Sequence, residues 1–546
     1  MATRTLPLVV IIFAAIGTGI YLLGSSGRDE RAIIRGYATD WQHHDYGAMW
    51  ALLTPASRHR ISRAEFAAEL NDAEQTATVR TLEPSKSLAI HGETAELGVV
   101  VMTHVFGRLY EPLELPLSGN GGSTDIVFNT SLLFPGLRFG ELLSRRTVIG
   151  ERGTVLASNG EVLAAGRKLT SDDPQVSEQI AGKIGAIPAA QATLYAEEGY
   201  PPTARVGVDG LEEIFQHRLA GRLGGQLLAG TRVLARAKPG HGATVRSTIN
   251  PALENDAAAA LGGKYGGITV MNPKTGAIEA AAGIAFSDVQ PPGSTFKIIT
   301  AAAALTAHIT TPSTIYPYES SIVLDGFKMQ NAGGESCGGS LTSAFANSCD
   351  TTFAPLGARL GAQKLVAMAE RFGFNRPTGL AGALVSTIPQ AGQIGSPVAV
   401  GASAIGQGLV QASTLEMADV AATIADSGRR PLPTMLYGAH PRFVRATSAK
   451  VAGEVQGMME AVVTEGTGTA AQIPGITVAG KTGTAELKDT AGKKNEAKAT
   501  DAWFVAYAPV GDPKVVVAAL FPNAGYGADT AAPAVRQMIE DALGIS

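Results

Sequence analysis

Ser294 and Lys297 stand three residues apart in VQPPGSTFKIITAAAAL, where a Pro-Pro-Gly turn gives way to a run of good helix formers. Three residues is close to one helical turn. The sequence therefore predicts a helix starting at about Ser294, with the two side chains one above the other. A serine hydroxyl attacks a carbonyl carbon well only when a base takes its proton, and a lysine is that base only when neutral. Burial beside Ile298 and Ile299 would push the lysine pKa down, and the free N–H groups of a helix start suit a developing oxyanion. The chemistry on offer is acyl transfer through a serine ester. The pair alone is a weak signal, since an N-cap serine followed by a solvent-facing lysine is a common helix start. Two further stretches strengthen it, Ser348-Cys349-Asp350 in LTSAFANSCDTTFA and Lys481-Thr482-Gly483-Thr484 in ITVAGKTGTAE.

These stretches need elements to hold them. ITVAGKTGTAE reads as a strand, WFVAYAPV and KVVVAALF supply two more, and VRQMIEDAL closes the chain as a helix. Upstream of Ser294, GATVRSTINPALENDAAAAL gives a strand and a helix. GGITVMNPKTGAIEAAAG gives two strands joined by the turn Asn272-Pro273-Lys274-Thr275-Gly276. That turn holds a second Lys-Thr-Gly string, but its hairpin context sets it apart from Lys481. Nearer the N-terminus, Ile33, Tyr37 and Trp41 recur at about one helical turn, and Tyr46, Met49 and Trp50 continue the apolar surface. ISRAEFAAEL adds a short helix. Strand-like alternation follows in TATVRTLEP, SLAIHG, TAELGVVVMTHVFGRL and GSTDIVFNTSLLFPGLRFG. Helices first and an antiparallel sheet afterwards predict an α+β cone.

Composition sets the outer bounds. A chain of 546 residues implies two to four domains, and 45% hydrophobic with 17% charged residues describes a folded protein. A net charge of −4 makes no case for nucleic acid. His43 and His44 have no partner at metal-ligand spacing. Residues 5–27 carry no charge and are long enough to cross a bilayer. A signal-anchor suits them better than a cleaved signal peptide, because no clear small-x-small site follows. The two cysteines, Cys337 and Cys349, could close a small loop before the second stretch or remain free.

Ser-x-x-Lys, then a Ser-x-Asn-like triplet, then Lys-Thr-Gly is the ordered signature of the penicillin-recognising acyl-serine enzymes. On these motifs the chain resembles the penicillin-binding proteins, specifically the monofunctional class B transpeptidases. The resemblance implies an α+β multidomain protein. Residues 1–27 would be a short cytoplasmic tip and a transmembrane anchor, and 28–141 an NTF2-like cone similar to the N-terminal domain of the methicillin-resistance type. Residues 142–238 would form a pedestal, or dimerisation-type, domain. That segment carries Arg152-Gly153, the Asn159-Gly160 turn and Gly210-Leu211-Glu212, and it leaves no length for a glycosyltransferase domain. Residues 239–546 would be the transpeptidase domain, a central antiparallel sheet flanked by helices. Gly406-Gln407-Gly408 and the stretch TEGTGTAA beginning at Thr464 resemble family segments near the cleft.

The resemblance also implies roles. Ser294 would attack the carbonyl between two terminal D-alanines of a peptidoglycan stem peptide, and an amine from a neighbouring stem would take the acyl group. Lys297 would be the base and Ser348 a proton relay to the leaving group, with Lys481 supplying positive charge nearby. Thr482 and Thr484 would donate to the substrate carboxylate, Gly483 would admit the substrate close to the strand, and the N–H groups of Ser294 and Thr484 would form the oxyanion hole. The implied partners are stem peptides, β-lactam antibiotics, a wall-polymerising glycosyltransferase and division or elongation proteins. The implied place is the bacterial cell membrane, single-pass, with the body outside. No cofactor or metal is called for. Asp350 departs from the family asparagine. Ionised, it accepts only, and beside Lys297 it favours the ammonium over the base. The competing readings are a D,D-carboxypeptidase, a serine β-lactamase-like hydrolase, and a wall-assembly protein with an impaired site.

Overall fold

The computed structural model describes residues 30–120, 123–486 and 500–545. The apolar run at 5–27 lies outside the described residues, among which no helix is long and apolar enough to cross a membrane. The chain forms two compact units, one of residues 1–150, 188–204 and 222–240, the other of 151–187, 205–221 and 241–546. The stretch 142–238 contributes to both.

In the first unit, helix Glu30–Gln42 buries Ile33, Tyr37 and Trp41 as their spacing predicts. Helix Arg63–Ala77 opens on a capping box in which Ser62 and Glu65 satisfy each other's backbone N–H groups. An antiparallel four-stranded sheet follows, Val79–His91, Thr94–Thr103, Arg108–Asn120 and Ser123–Ile126, in sequence order. The third strand extends beyond the alternating stretches read from the sequence and carries Pro112 and Pro116, which lack a ladder N–H. The fourth strand pairs only with residues 117–120, and on that side Pro116 O accepts from Val127 N–H and Pro112 O from Gly136 N–H, so neither proline needs to donate to a ladder.

The second unit is built on five strands, β1 (Gly267–Met271), β2 (Ile278–Gly283), β3 (Ala479–Glu486), β4 (Thr500–Ala508) and β5 (Val515–Phe521). Their order is β2-β1-β5-β4-β3, antiparallel throughout. This is the expected central antiparallel sheet. Both faces are covered, so β4 and β5 are buried along their whole length and read as continuous apolar runs. On one face Trp503, Val505 and Tyr507 join the core of helices α1 (Lys297–Thr306), α2 (Leu341–Ala346), α3 (Asp350–Leu360), α4 (Thr414–Ala425) and α5 (Ala449–Thr464). On the other, Phe504 and Ala506 pack with helix Pro251–Leu261 and α6 (Ala531–Leu543).

The Arg152-Gly153 and Gly210-Leu211-Glu212 stretches meet in this unit. Arg152 Nε donates to Glu212 Oε2 at 2.5 Å and Nη1 to Gln216 Oε1 at 2.9 Å, with side chains 5% and 0% exposed for Arg152 and Glu212. Gly207 N–H reaches the same Gln216 oxygen at 2.7 Å, so the guanidinium is a hub for three chain segments. Removing one partner of a buried pair strands the other charge. Glu212→Ala should therefore cost about 3–5 kcal/mol, read as a lower denaturation midpoint for this unit.

Candidate active site

Ser294 does not open an α-helix. It lies in a 3₁₀ turn, Gly293–Phe296, that runs into α1 at Lys297. At three residues per turn, positions i and i+3 eclipse, which stacks Lys297 over Ser294 more closely than an α-turn would. Lys297 Nζ lies 2.9 Å from Ser294 Oγ. The turn is held from several sides. Gly293 has φ +51°, and a Cβ there would meet Thr484 O of β3 at 2.8 Å. Its N–H donates to Gly406 O at 3.0 Å, and a Cβ on Gly406 would strike Gly293 O. Trp503 Nε1 on β4 donates to Pro291 O. Thus Gly406, from the Gly406-Gln407-Gly408 stretch, backs the Ser294 turn.

Ser348 closes α2. Its φ is +59°, its N–H bonds to Phe345 O at 3.1 Å, and the next N–H, of Cys349, bonds to Ala344 O at 2.8 Å. These are the two bonds of a Schellman motif, whose left-handed position usually holds glycine. A serine there costs roughly 1–2 kcal/mol of backbone preference. The conformation turns both its carbonyl and its hydroxyl toward the lysines. Lys297 Nζ lies 2.7 Å from Ser348 O and 3.3 Å from Ser348 Oγ, and Lys481 Nζ lies 2.9 Å from Ser348 Oγ. Cys349 is disulfide-bonded to Cys337, which settles the open question of their pairing.

Asp350 opens α3, and its Oδ1 is 2.6 Å from Lys297 Nζ. Five sequence-predicted residues, Ser294, Lys297, Ser348, Asp350 and Lys481, thus form one continuous polar chain. Both lysines are fully buried. Phe353 lies under Lys297 and Phe345 under Lys481, each ring within 6 Å of its amine. Burial pushes the Lys297 pKa down, while the Asp350 charge and hydrogen bond pull it back up. Burial, and then the charge of Lys297, hold Lys481 well below the usual lysine range, against a weaker upward pull from Asp350. Burial thus draws both amines toward the neutral form.

Hydrogen-bond capacity points the same way. A carboxylate and a carbonyl only accept, so Asp350 and Ser348 O claim two N–H groups of Lys297. Once that amine is neutral, its lone pair is left for the serine hydroxyls. The Lys-Thr-Gly strand is β3, the end strand of the sheet. Thr482 is 5% exposed and its hydroxyl is paired with Thr467, a contact that sequence reading of the TEGTGTAA turn did not anticipate. Thr484 is partly exposed. Gly483 has a packing reason to be small. A Cβ there would meet Pro292 O at 2.8 Å and Thr295 Cγ2 at 2.9 Å, so its space is taken by the nucleophile turn itself. The Lys274-Thr275-Gly276 string is a hairpin turn with Lys274 paired to Asp512. It belongs to a different place.

Residues 266–540 match the family described as the penicillin binding protein transpeptidase domain, half of the chain. The chain belongs to that family. Over 289 residues it is 38% identical to the peptidoglycan D,D-transpeptidase PbpA of Mycolicibacterium smegmatis, covering 47% of this chain and 56% of that protein. It is 27% identical over 424 residues to the D,D-transpeptidase MrdA of Haemophilus influenzae, covering 62% and 63% of the two chains. The match therefore spans little more than half the length of these curated relatives. Among solved structures, the penicillin G acyl-enzyme of penicillin-binding protein A from Mycobacterium tuberculosis is similar, with 28% identity and a TM-score of 0.56. That likeness covers 72% of this chain and all of the other.

Two outcomes test the geometry. Asp350→Asn removes the charge that raises the Lys297 pKa, so the amine stays neutral to lower pH. The acylation–pH profile should move toward lower pH, with a gain of about tenfold at neutral pH if it is worth one ordinary hydrogen bond. The measurement is the second-order acylation rate by one β-lactam across a pH series. Ser348→Gly should leave the thermal midpoint unchanged or raised, because glycine suits the left-handed position, while acylation falls steeply. Calorimetry and labelling of the same sample check both halves.

Proposed function

We propose that the protein is a serine-type peptidoglycan D,D-transpeptidase. The observation that carries the reading is the unbroken line of contacts from Ser294 through Lys297 and Ser348 to Lys481, set beside the end strand of the sheet. Ser294 attacks the carbonyl of a D-Ala-D-Ala bond, and its proton passes to neutral Lys297. The negative oxygen is met by the N–H groups of Ser294 and Thr484. Collapse of the intermediate breaks the C–N bond, and Ser348 hands a proton to the departing D-alanine while taking one from the Lys297 ammonium, which becomes neutral again. The acyl group then moves to the amine of a second stem peptide, restoring Ser294 and closing a cross-link. An arriving substrate carboxylate favours the charged form of Lys481 and so offsets the cost of its burial. Thr482 and Thr484 line the same strand beside that carboxylate.

β-Lactams enter the same path and stop at the ester. We read the first unit as an NTF2-like spacer followed by pedestal strands, with residues 1–27 as the membrane anchor and the body outside the cell. A wall-polymerising glycosyltransferase and division or elongation proteins are the partners of this reading. A carboxypeptidase differs only in passing the acyl group to water, and a product assay with an amine acceptor separates the two.

Ser294→Ala should abolish covalent labelling by a fluorescent penicillin while the fold is retained. Ser247 and Ser403, whose hydroxyls bond to Leu156 O and Ala399 O, should be replaceable without loss. Labelling that survives in Ser294→Ala overturns the assignment.

A further inference from the structure

Asp350 is bracketed by two ties. Cys349 before it is fixed covalently to Cys337. Thr351 after it is fixed by a side chain from twenty residues away, for its backbone N–H donates to Asn331 Oδ1 at 3.0 Å. Asn331 is 4% exposed and belongs to none of the three motifs. Its amide nitrogen donates to Glu319 O at 2.7 Å and to Glu335 O at 2.8 Å. Two carbonyls need donors and one N–H needs an acceptor, so these partners leave the amide one orientation.

The position of that third bond matters. The first N–H groups of a helix have no partner within it and are normally capped by the side chain of the preceding residue. In α3 that residue is Cys349, which provides no side-chain cap. Asn331 supplies the missing acceptor from elsewhere in the chain. It anchors the same first turn to the strand Ile315–Glu319, and Thr351 Oγ1 adds a weaker contact to Glu319 O at 3.4 Å. Thr351 and Asp350 share that turn, and Asp350 Oδ1 sits on Lys297 Nζ.

We infer that Asn331 is a positioning residue for the acylation step, acting as a remote cap that holds the first turn of α3, and with it Asp350, against Lys297. The inference rests on the reading of Ser294 as nucleophile and Lys297 as its base. Without the cap the first turn frays, Asp350 leaves Lys297, and the amine loses the neighbour that favours its charged form. The acylation–pH profile then moves toward lower pH, as in Asp350→Asn. The plateau rate falls at the same time, because Ser348 is carried on the same loosened loop.

The test uses the full chain with Asn331→Ala, and Asn331→Gln as a second variant that keeps both kinds of group displaced by one methylene. Hydrogen exchange is followed in the peptide spanning 350–353, and the acylation rate by a fluorescent penicillin is followed across pH. The expected result is faster exchange at Thr351, a profile shifted to lower pH, and a plateau about tenfold lower, the size of one lost ordered hydrogen bond. Asn331→Gln should fall between, and the shift should vanish when Asn331→Ala is made in the Asp350→Asn background. A lowered labelled fraction with an unmoved midpoint would mean a merely structural role and overturn the inference. So would an equal shift in the Asp350→Asn background, or unchanged exchange at Thr351. A wild-type protein that takes no label at all would instead count against the nucleophile reading.

Discussion

The second unit is arranged around a lysine amine with no access to water. Lys297 Nζ has Ser294 Oγ, Ser348 O, Ser348 Oγ and Asp350 Oδ1 within 3.3 Å, and an ammonium has only three protons to offer. Burying such a group is costly unless each proton has a taker. Its partners come from the nucleophile turn, the end of α2 and the start of α3, so these three pieces must arrive together. The amine is thus a point of assembly as well as a reagent. The two phenylalanines beneath the lysines keep it dry, which is what lowers its pKa into a useful direction.

Backbone economy supports the same point. Gly293, Gly406 and Gly483 are small because the nucleophile turn, its back wall and β3 approach to within the space of a methyl group. Ser348 is the reverse case, a side chain kept where the backbone prefers none. Strain of this kind persists where the surroundings over-determine it, and here a disulfide and two helix ends do so.

Much of this was legible in the sequence. The strands of the catalytic sheet, the helix after Ser294 and the decoy at Lys274 all follow from alternation, helix propensity and turn chemistry. Those signals are local. What stayed hidden depends on residues distant in sequence. Nothing in the TEGTGTAA stretch says that Thr467 occupies the Thr482 hydroxyl, and nothing around Asn331 says that it serves a helix twenty residues on. Nor does the sequence say that Pro292 and Thr295 fill the space beside Gly483. A strand pattern gives two faces but does not say which one the protein will fill. Likewise, the Lys481 pKa is lowered first by burial and then by the charge of Lys297, 184 positions earlier, and no spacing rule links the two lysines.

The place of β3 at the end of the sheet has its own consequence. A terminal strand presents main-chain donors and acceptors at a fixed rise of about 3.3 Å per residue. Anything laid along it is measured as a peptide before it is read as a sequence, and bonds between main chains take no account of side-chain identity. A cleft bounded by such a ruler can discriminate by chirality and by chain length, since both change where the next carbonyl falls. It remains indifferent to much of what hangs from the chain.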